Sequence, residues 1–272
     1  MRNLNDNRLV KAFTKLRSSA SKTLMPFITA GYPDLETTRA LLDDFGHRGV
    51  KVCELGIPFS DPIADGPTIQ ASYAEALAGG LTSEKILDLV RSYRADGGQL
   101  ALVAMVSYSI VYRHDVSQYL AKLAEAGFDG LIVPDLPLEE AATLESLADA
   151  RSLANVMLIA PTTVRIRQLE IAKHSRGFIY FMSVAGITGE RDKLPAETIQ
   201  AVGELRKHTG TPVCMGFGIS KPHHVAEVCK SADGAIVGSA IVHRLNDSRT
   251  DSVSKRVAKI GEFVGKLFEP IK

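Results

Sequence analysis

The chain has 272 residues, a formal net charge of +1, 45% hydrophobic residues and 23% charged residues. These values are ordinary for a globular protein and exclude disordered, collagen-like and low-complexity chains. The near-neutral charge argues against a nucleic-acid surface, which needs a basic face, and requires that any anionic substrate be held by local geometry.

The first 25 residues allow two interpretations. They carry several Arg, Lys and Ser residues and Asp6 as their only acid, which is the composition of a transit peptide. Leu9, Val10, Phe13 and Leu16 recur at three- and four-residue spacing, which is typical of an amphipathic helix. We favour the helix, because the apolar stripe leads directly into a strand.

Eight short apolar runs follow along the chain and alternate with helical patterns. The predicted strands are Thr23–Ala30, Gly49–Gly56, Leu100–Val106, Gly130–Pro134, Val156–Pro161, Phe178–Ser183, Pro212–Gly216 and Gly234–Gly238. Leu35–His47 and Val253–Leu267 show clear helical faces.

This alternation predicts βαβ units with a parallel sheet. Eight units in about 250 residues favour an α/β fold of the (β/α)₈ TIM barrel type, with an extra N-terminal helix, as one domain over residues 1–272. A doubly wound open sheet is the alternative, but the segment after the first strand, Ile28–Pro33, lacks the expected glycine-rich fingerprint.

The cysteines and the hydropathy of the chain indicate the cellular compartment of the protein. Cys53, Cys214 and Cys229 are odd in number, lie in apolar stretches and do not form a disulfide pattern. No apolar run approaches the roughly 18 residues of a membrane span. We therefore expect a cytoplasmic protein that binds neither membrane nor nucleic acid.

In a barrel, the chemistry lies where strands end. Alternation puts Val50, Val52 and Glu54 on one face of the second strand, so Glu54 would point into the barrel mouth. Partial desolvation there raises the pKa of a carboxyl and suits a general acid/base. A structural carboxylate satisfied by backbone N–H groups is the alternative.

Asp61 and Asp65 lie on the following loop, whose Pro and Gly residues also fit ordinary turn chemistry. Beside Glu54 at one barrel mouth, Asp65 is a candidate second acid/base, because carboxylates in different environments can divide the roles.

Two glycine loops, Gly216–Gly218 and Gly238–Ser239, follow the seventh and eighth strands. Barrel enzymes often bind phosphate there with backbone N–H groups and a helix N-terminus, so a phosphate site is favoured over two ordinary turns.

No Lys lies inside the sixth strand or at the end of any predicted strand, which argues against a Schiff-base aldolase. No His lies at a predicted strand end either. His223 and His224 fall on the seventh helix and are interpreted as solvated or capping residues. No His or Cys pair has metal-ligand spacing at the mouth, so no metal is expected.

The segment ELGIPFSDPIADGP, Glu54–Pro67, resembles the second-strand motif of the tryptophan synthase alpha subunit family. Six further segments match that family in order, at Met25–Pro33, Gly130–Glu140, Ala160–Thr163, Ser183–Pro195, Gly216–Ser220 and Val237–Val242. A long motif with several colinear ones is far more specific than a lone glycine pattern.

The resemblance implies a lyase that cleaves indole-3-glycerol phosphate to indole and glyceraldehyde 3-phosphate without a cofactor in this chain. It implies a heterotetramer with a beta subunit that carries pyridoxal phosphate and receives the indole. A stand-alone lyase, a non-catalytic barrel kept as an allosteric partner, and a phosphosugar isomerase or synthase are the alternatives.

The resemblance also assigns residues. Glu54 matches the principal acid/base and Asp65 the second carboxylate, which would hydrogen-bond the indole N–H. The positions that match substrate-binding residues are Phe27, Ile69, Tyr180, Thr188, Gly189, Gly218, Gly238 and Ser239.

Asp61, Pro62 and Ser109 match positions that face the partner in the family, and Ser109 stands where the family often has Asn. Two loops that contain several Gly and Pro residues are predicted to be mobile lids, Gly56–Pro67 and Ser183–Pro195.

Overall fold

Eight parallel strands pair in chain order, and the last pairs with the first, so the sheet closes into a barrel. The computed structural model describes residues 4–63, 65–183 and 195–272. The strands are β1 (Thr23–Thr29), β2 (Val52–Gly56), β3 (Ala101–Met105), β4 (Gly130–Ile132), β5 (Ala154–Ile159), β6 (Ile179–Met182), β7 (Val213–Gly216) and β8 (Gly234–Val237). The prediction of a (β/α)₈ barrel is confirmed, and the open-sheet alternative is wrong.

Helices surround the barrel, and two of them follow each of β2, β3 and β8. They are α1 (Arg8–Ser18), α2 (Leu35–His47), α3 (Pro67–Ala78), α4 (Ser83–Ala95), α5 (Tyr108–Arg113), α6 (Val116–Ala126), α7 (Ala142–Ala150), α8 (Arg165–His174), α9 (Ala196–Lys207), α10 (Pro222–Ser231), α11 (Ser239–Asp247) and α12 (Val253–Phe268). Single 3-10 turns lie at Leu4–Asp6, Leu138–Glu140 and Glu269–Ile271.

Helix α1 covers the amino-terminal end of the barrel. Asn7 caps it by accepting a hydrogen bond from the Leu9 N–H at 2.8 Å, and its Nδ2 donates to the carbonyl of Asp129, just before β4. Leu9 and Phe13 are buried, and the Phe13 ring lies 5.4 Å from that of Phe178. The helical interpretation of this segment is therefore confirmed.

Every strand differs from its predicted bounds by one to three residues at one or both ends, and two of these differences have a clear backbone cause. Strand β2 begins at Val52 because the Val50 N–H still bonds the Phe45 carbonyl of α2 at 3.1 Å, with Gly49 at φ +89°. Strand β4 ends at Ile132, ahead of Pro134, which has no N–H to offer a ladder.

The strand register brings site residues side by side at the carboxyl end. Phe27 of β1 lies opposite Glu54 of β2, and Glu54 lies opposite Val103 of β3.

All three cysteines are buried and free, as predicted. Within the described ranges, no helix combines the length and apolarity needed to cross a bilayer. That residues 1–272 form one domain stays a prediction.

Candidate active site

The largest enclosed space at the carboxyl end of the strands is a cavity of about 480 Å³, which we call the main cavity. This volume is in the range of small-molecule sites. It brings together seven residues predicted from the sequence: Phe27, Asp65, Ile69, Tyr180, Gly218, Gly238 and Ser239. Thr188 and Gly189 lie outside the described residues.

Glu54 is completely buried on β2 and is not among the residues that line this cavity, although its strand neighbour Phe27 is. Neither of its carboxylate oxygens has a hydrogen-bond partner in the described structure, so the alternative of a carboxylate satisfied by backbone N–H groups is wrong. Burial without a partner disfavours the charged form and raises the pKa of Glu54 to about 8. At neutral pH the unliganded chain therefore holds Glu54 as a neutral acid.

Asp65 lies on the loop between β2 and α3 and lines the main cavity. Its backbone is part of a turn, because its N–H donates to the Pro62 carbonyl at 3.2 Å and its carbonyl accepts from Gln70 Nε2 at 2.8 Å. The side chain is only partly buried, and this burial raises its pKa to about 6. Turn chemistry and a cavity-facing carboxyl coexist at this position.

Aromatic side chains pack near Glu54. Gly56 lets them close in, because a Cβ there would lie 2.5 Å from Phe27 Cζ and 2.6 Å from the Tyr73 hydroxyl oxygen. Tyr180 is buried and its ring lies 5.7 Å from that of Phe217. Glycine at position 56 is thus required by packing between β1 and α3.

Two backbone segments at the far end of the cavity offer N–H groups. Phe217 and Gly218 have φ values of +72° and +74°, a left-handed pair directly after β7. The Ser183 hydroxyl donates to the Phe217 carbonyl at 2.5 Å and holds this turn against β6. Helix α11 begins at Ser239, so its first N–H groups, which lack intrahelical partners, face an anion placed here.

A second cavity of about 240 Å³ adjoins the first, and we call it the side cavity. The three residues expected to face a partner, Asp61, Pro62 and Ser109, all line it. Both cavities share Asp65, Met105, Pro134 and Asp135 as walls, so the side cavity begins where the main cavity ends.

Two residues near the cavities were not predicted as site residues from sequence patterns. Tyr73 is buried on α3, and Glu54 and Asp65 both raise the pKa of its phenol after desolvation by burial, which is the largest cause. Its i,i+4 relation to Ile69 is the signal that places it on the same helix face. Asp135 follows β4 and lines both cavities.

The two histidines of α10 differ in their surroundings. His223 is exposed, whereas His224 is buried and its Nδ1 accepts from the Ser220 N–H at 3.4 Å, in keeping with a capping role. A search of the described residues finds no cluster of three His, Cys, Asp or Glu side chains that could hold a metal ion.

Comparison with known proteins identifies the family. The family model described as tryptophan synthase alpha chain matches residues 13–271. Tryptophan synthase alpha chains of Rhodopirellula baltica and Chloroflexus aggregans are 43% and 44% identical, and the matches cover 97% and 95% of this chain and 98% and 97% of theirs.

Solved structures agree. The tryptophan synthase alpha chain of Legionella pneumophila superposes with a TM-score of 0.87 at 31% identity, covering 97% of both chains. A chain in the aminoacrylate-bound tryptophan synthase of M. tuberculosis superposes with a TM-score of 0.84 at 28% identity, covering 98% of this chain and 100% of that one. This chain therefore belongs to the tryptophan synthase alpha chain family.

Proposed function

We propose that this chain, a carbon–carbon lyase of tryptophan biosynthesis, cleaves indole-3-glycerol phosphate in the main cavity, with Glu54 as the acid/base. The observation that carries the proposal is that Glu54 is wholly buried and its carboxylate oxygens have no hydrogen-bond partner among the described residues. This burial raises the pKa of Glu54 to about 8. A general acid works best when its pKa lies near the working pH, because it is then protonated and still able to release the proton.

The shape and polarity of the cavity suit the two ends of this substrate. Apolar Phe27 and Ile69 would flank the indole ring, and Asp65 would accept a hydrogen bond from the indole N–H. The N–H groups around Gly218 and the start of α11 at Gly238–Ser239 would hold the phosphate.

Tyr180 also lines the main cavity, and in this proposal it would lie near the glycerol hydroxyls. The family resemblance implies two further substrate-binding residues, Thr188, which would contact Asp65, and Gly189, which would bind the phosphate; both lie outside the described residues. Such backbone donors explain how a chain of net charge +1 holds a phosphate without a basic cluster.

In the first step, Glu54 would donate its proton to C3 of the indole ring. Because Glu54 is buried and does not line the main cavity, its carboxyl would have to turn toward the cavity when substrate is bound. The ring nitrogen then becomes positive, and the ionised Asp65 carboxylate stabilises it through the N–H.

In the second step, the Glu54 carboxylate would remove the proton of the glycerol hydroxyl next to the ring. The C–C bond breaks, its electron pair returns to the indolenine ring, and the hydroxyl carbon becomes the aldehyde of glyceraldehyde 3-phosphate. The products are neutral indole and the aldehyde, and Glu54 ends protonated, as it began.

The chain's own groups supply both proton transfers, so no cofactor is assigned to it in this scheme. The family implies a beta-subunit partner, and we propose an alpha2beta2 heterotetramer whose beta subunit carries pyridoxal phosphate. Asp61, Pro62 and Ser109 would face that subunit from the side cavity. We further propose that the complex is cytoplasmic, consistent with the buried, free cysteines.

An indole-release assay on indole-3-glycerol phosphate, with and without the beta subunit, tests this proposal. Stoichiometric indole and glyceraldehyde 3-phosphate are the expected products. Full turnover without the beta subunit and no complex on gel filtration would favour a stand-alone lyase. Activity only on phosphosugars that lack an indole ring would instead favour an isomerase or synthase.

A further inference from the structure

Asp135 is the centre of a small hydrogen-bond network between two loops. Its carboxylate accepts one bond from the Ser107 hydroxyl at 2.6 Å and another from the Tyr108 N–H at 2.8 Å. The Ser107 oxygen in turn accepts from the Ser109 N–H at 3.2 Å and caps α5. The loop after β4 therefore holds the start of the helix after β3.

The position of this network gives it a use beyond local stability. Asp135 is a wall of both cavities, whereas Ser107 and Ser109 line only the side cavity. The network thus fixes one side of the opening between the two cavities. It also fixes Ser109, the residue expected to face the beta subunit, at the first turn of α5.

We infer that Asp135 is a positioning residue that holds the start of α5 in the conformation that the beta subunit binds. The inference rests on the proposed function, because it takes the side-cavity face as the partner's docking site. Asp135 acts through Ser107 and Tyr108 and has no role in the proton transfers.

The solvent exposure of the network explains how it would act in docking. Asp135 and Ser109 are exposed in the free chain, and Ser107 is partly buried. Water competes there with the carboxylate for its donors, so the bonds hold α5 only moderately. A docked partner would exclude this water and strengthen both bonds, since hydrogen bonds to charged groups are stronger in a drier environment.

Loss of the network would lower the fraction of chains whose α5 is ready for docking. The apparent dissociation constant then rises in proportion to the inverse of that fraction. Because each bond to a charged group contributes measurably to this balance, we expect a rise of about tenfold.

The test measures the dissociation constant of the beta subunit for the full chain and its variants by calorimetry. Ser107→Ala and Asp135→Ala each remove one side of the network, and the double variant removes both. Asp135→Asn keeps an oxygen that can accept from the Tyr108 N–H. Ser252→Ala, which removes the equivalent serine cap of α12, is the matched control.

We expect about tenfold weaker binding for Ser107→Ala and for Asp135→Ala, and no further loss in the double variant, because the residues act as one unit. Asp135→Asn should recover most of the affinity, and Ser252→Ala should bind like the wild type. The indole-forming rate of isolated Ser107→Ala should equal that of the wild type.

Binding of all network variants within about twofold of the wild type, or losses that multiply in the double variant, would overturn the inference. Wild-type chain that binds the beta subunit but forms no indole would refute the proposed lyase site alone. Wild-type chain that does not bind would refute the partner assignment and, with it, this inference.

Discussion

The two carboxyl groups proposed for catalysis differ in how far they are withdrawn from water. Glu54 is completely buried, neither of its oxygens has a partner in the described part of the chain, and burial raises its pKa to about 8. Asp65 is partly exposed at the cavity wall, and its pKa rises to about 6. Near pH 7 the first is therefore a neutral acid and the second mostly an anion, which is the division of roles that the mechanism needs.

This difference predicts a bell-shaped dependence of kcat/KM on pH. Activity requires ionised Asp65 and protonated Glu54, so kcat/KM should rise through about pH 6 and fall through about pH 8. Initial rates of indole formation across pH 5–9.5 would check the profile, with a flat alkaline arm counting against Glu54 as the acid.

The substrate phosphate also titrates near pH 6, so the acid limb needs a control. In the Asp65→Asn variant, the acid limb should shrink to the part that the substrate phosphate causes. The remaining activity should still fall through about pH 8, because Glu54 is unchanged. An unchanged acid limb in this variant would show that Asp65 does not cause it.

The raised pKa of Glu54 also predicts a pH-dependent contribution to stability. Between its ordinary pKa of 4.5 and the folded value of about 8, only the folded chain keeps the proton, so stability falls as pH rises through this window. Glu54→Gln removes the titration, and its stability relative to the wild type should grow by ~3–5 kcal/mol between pH 4.5 and 8.5. Urea unfolding of both proteins measures this difference, and parallel pH curves would contradict it.

Sequence patterns could locate Glu54 but not describe its surroundings. Alternation along β2 predicted its inward direction, because that depends only on the neighbouring residues. Its surroundings include Phe27, Tyr73 and Tyr180, which come from three other elements, and local alternation carries no information about them. Sequence alone therefore left catalysis and a structural role about equally possible there.

Among the elements, the turn after β7 depends most on a special backbone conformation. Gly218 has φ +74°, where a side chain is strained by roughly 1–2 kcal/mol, and Phe217 beside it already has φ +72°. A Cβ at position 218 would add strain, and the backbone rotation that relieves this strain would turn away the N–H groups that we assign to the phosphate.

We therefore expect Gly218→Ala to raise KM for indole-3-glycerol phosphate by about tenfold or more, with a smaller change in kcat. Gly210→Ala, just before β7, is the matched control, because a Cβ there meets nothing within 4 Å. Steady-state kinetics of both variants provide the measurement, and equal KM values would argue against the phosphate assignment.

The type of each element and the number of strands were predictable because they follow from local periodicity, whereas the pairing of helices after single strands and the ends of the elements were not. All eight strands lie where the apolar runs indicated. The paired helices after β3 were missed, since α5 spans only six residues and is organised by a contact with Asp135, 28 positions from Ser107. Such a contact leaves no periodic signal.

At the scale of the whole molecule, the barrel separates stability from chemistry. Helix α1 covers the amino-terminal end through Leu9, Phe13 and the bonds of Asn7 and Arg8 to Asp129, more than 120 positions away. The cavities lie at the opposite end. A change in one end should therefore leave the other largely unaltered.

Phe13→Ala tests this separation. Loss of the buried ring and its contact with Phe178 should lower the free energy of unfolding by about 3–5 kcal/mol. Values of kcat and KM at a temperature where the variant is folded should stay within about twofold of the wild type. A large loss of activity in the folded variant would mean that the two ends are coupled.

The most direct test of the account is the rate at which Glu54→Gln forms indole, measured beside its affinity for indole-3-glycerol phosphate. Glutamine fits the same buried space but cannot deliver or take back the proton. We predict near wild-type affinity with indole formation reduced by at least about 10³-fold, in the isolated chain and in complex with the beta subunit. Turnover within tenfold of the wild type would contradict the assignment of Glu54.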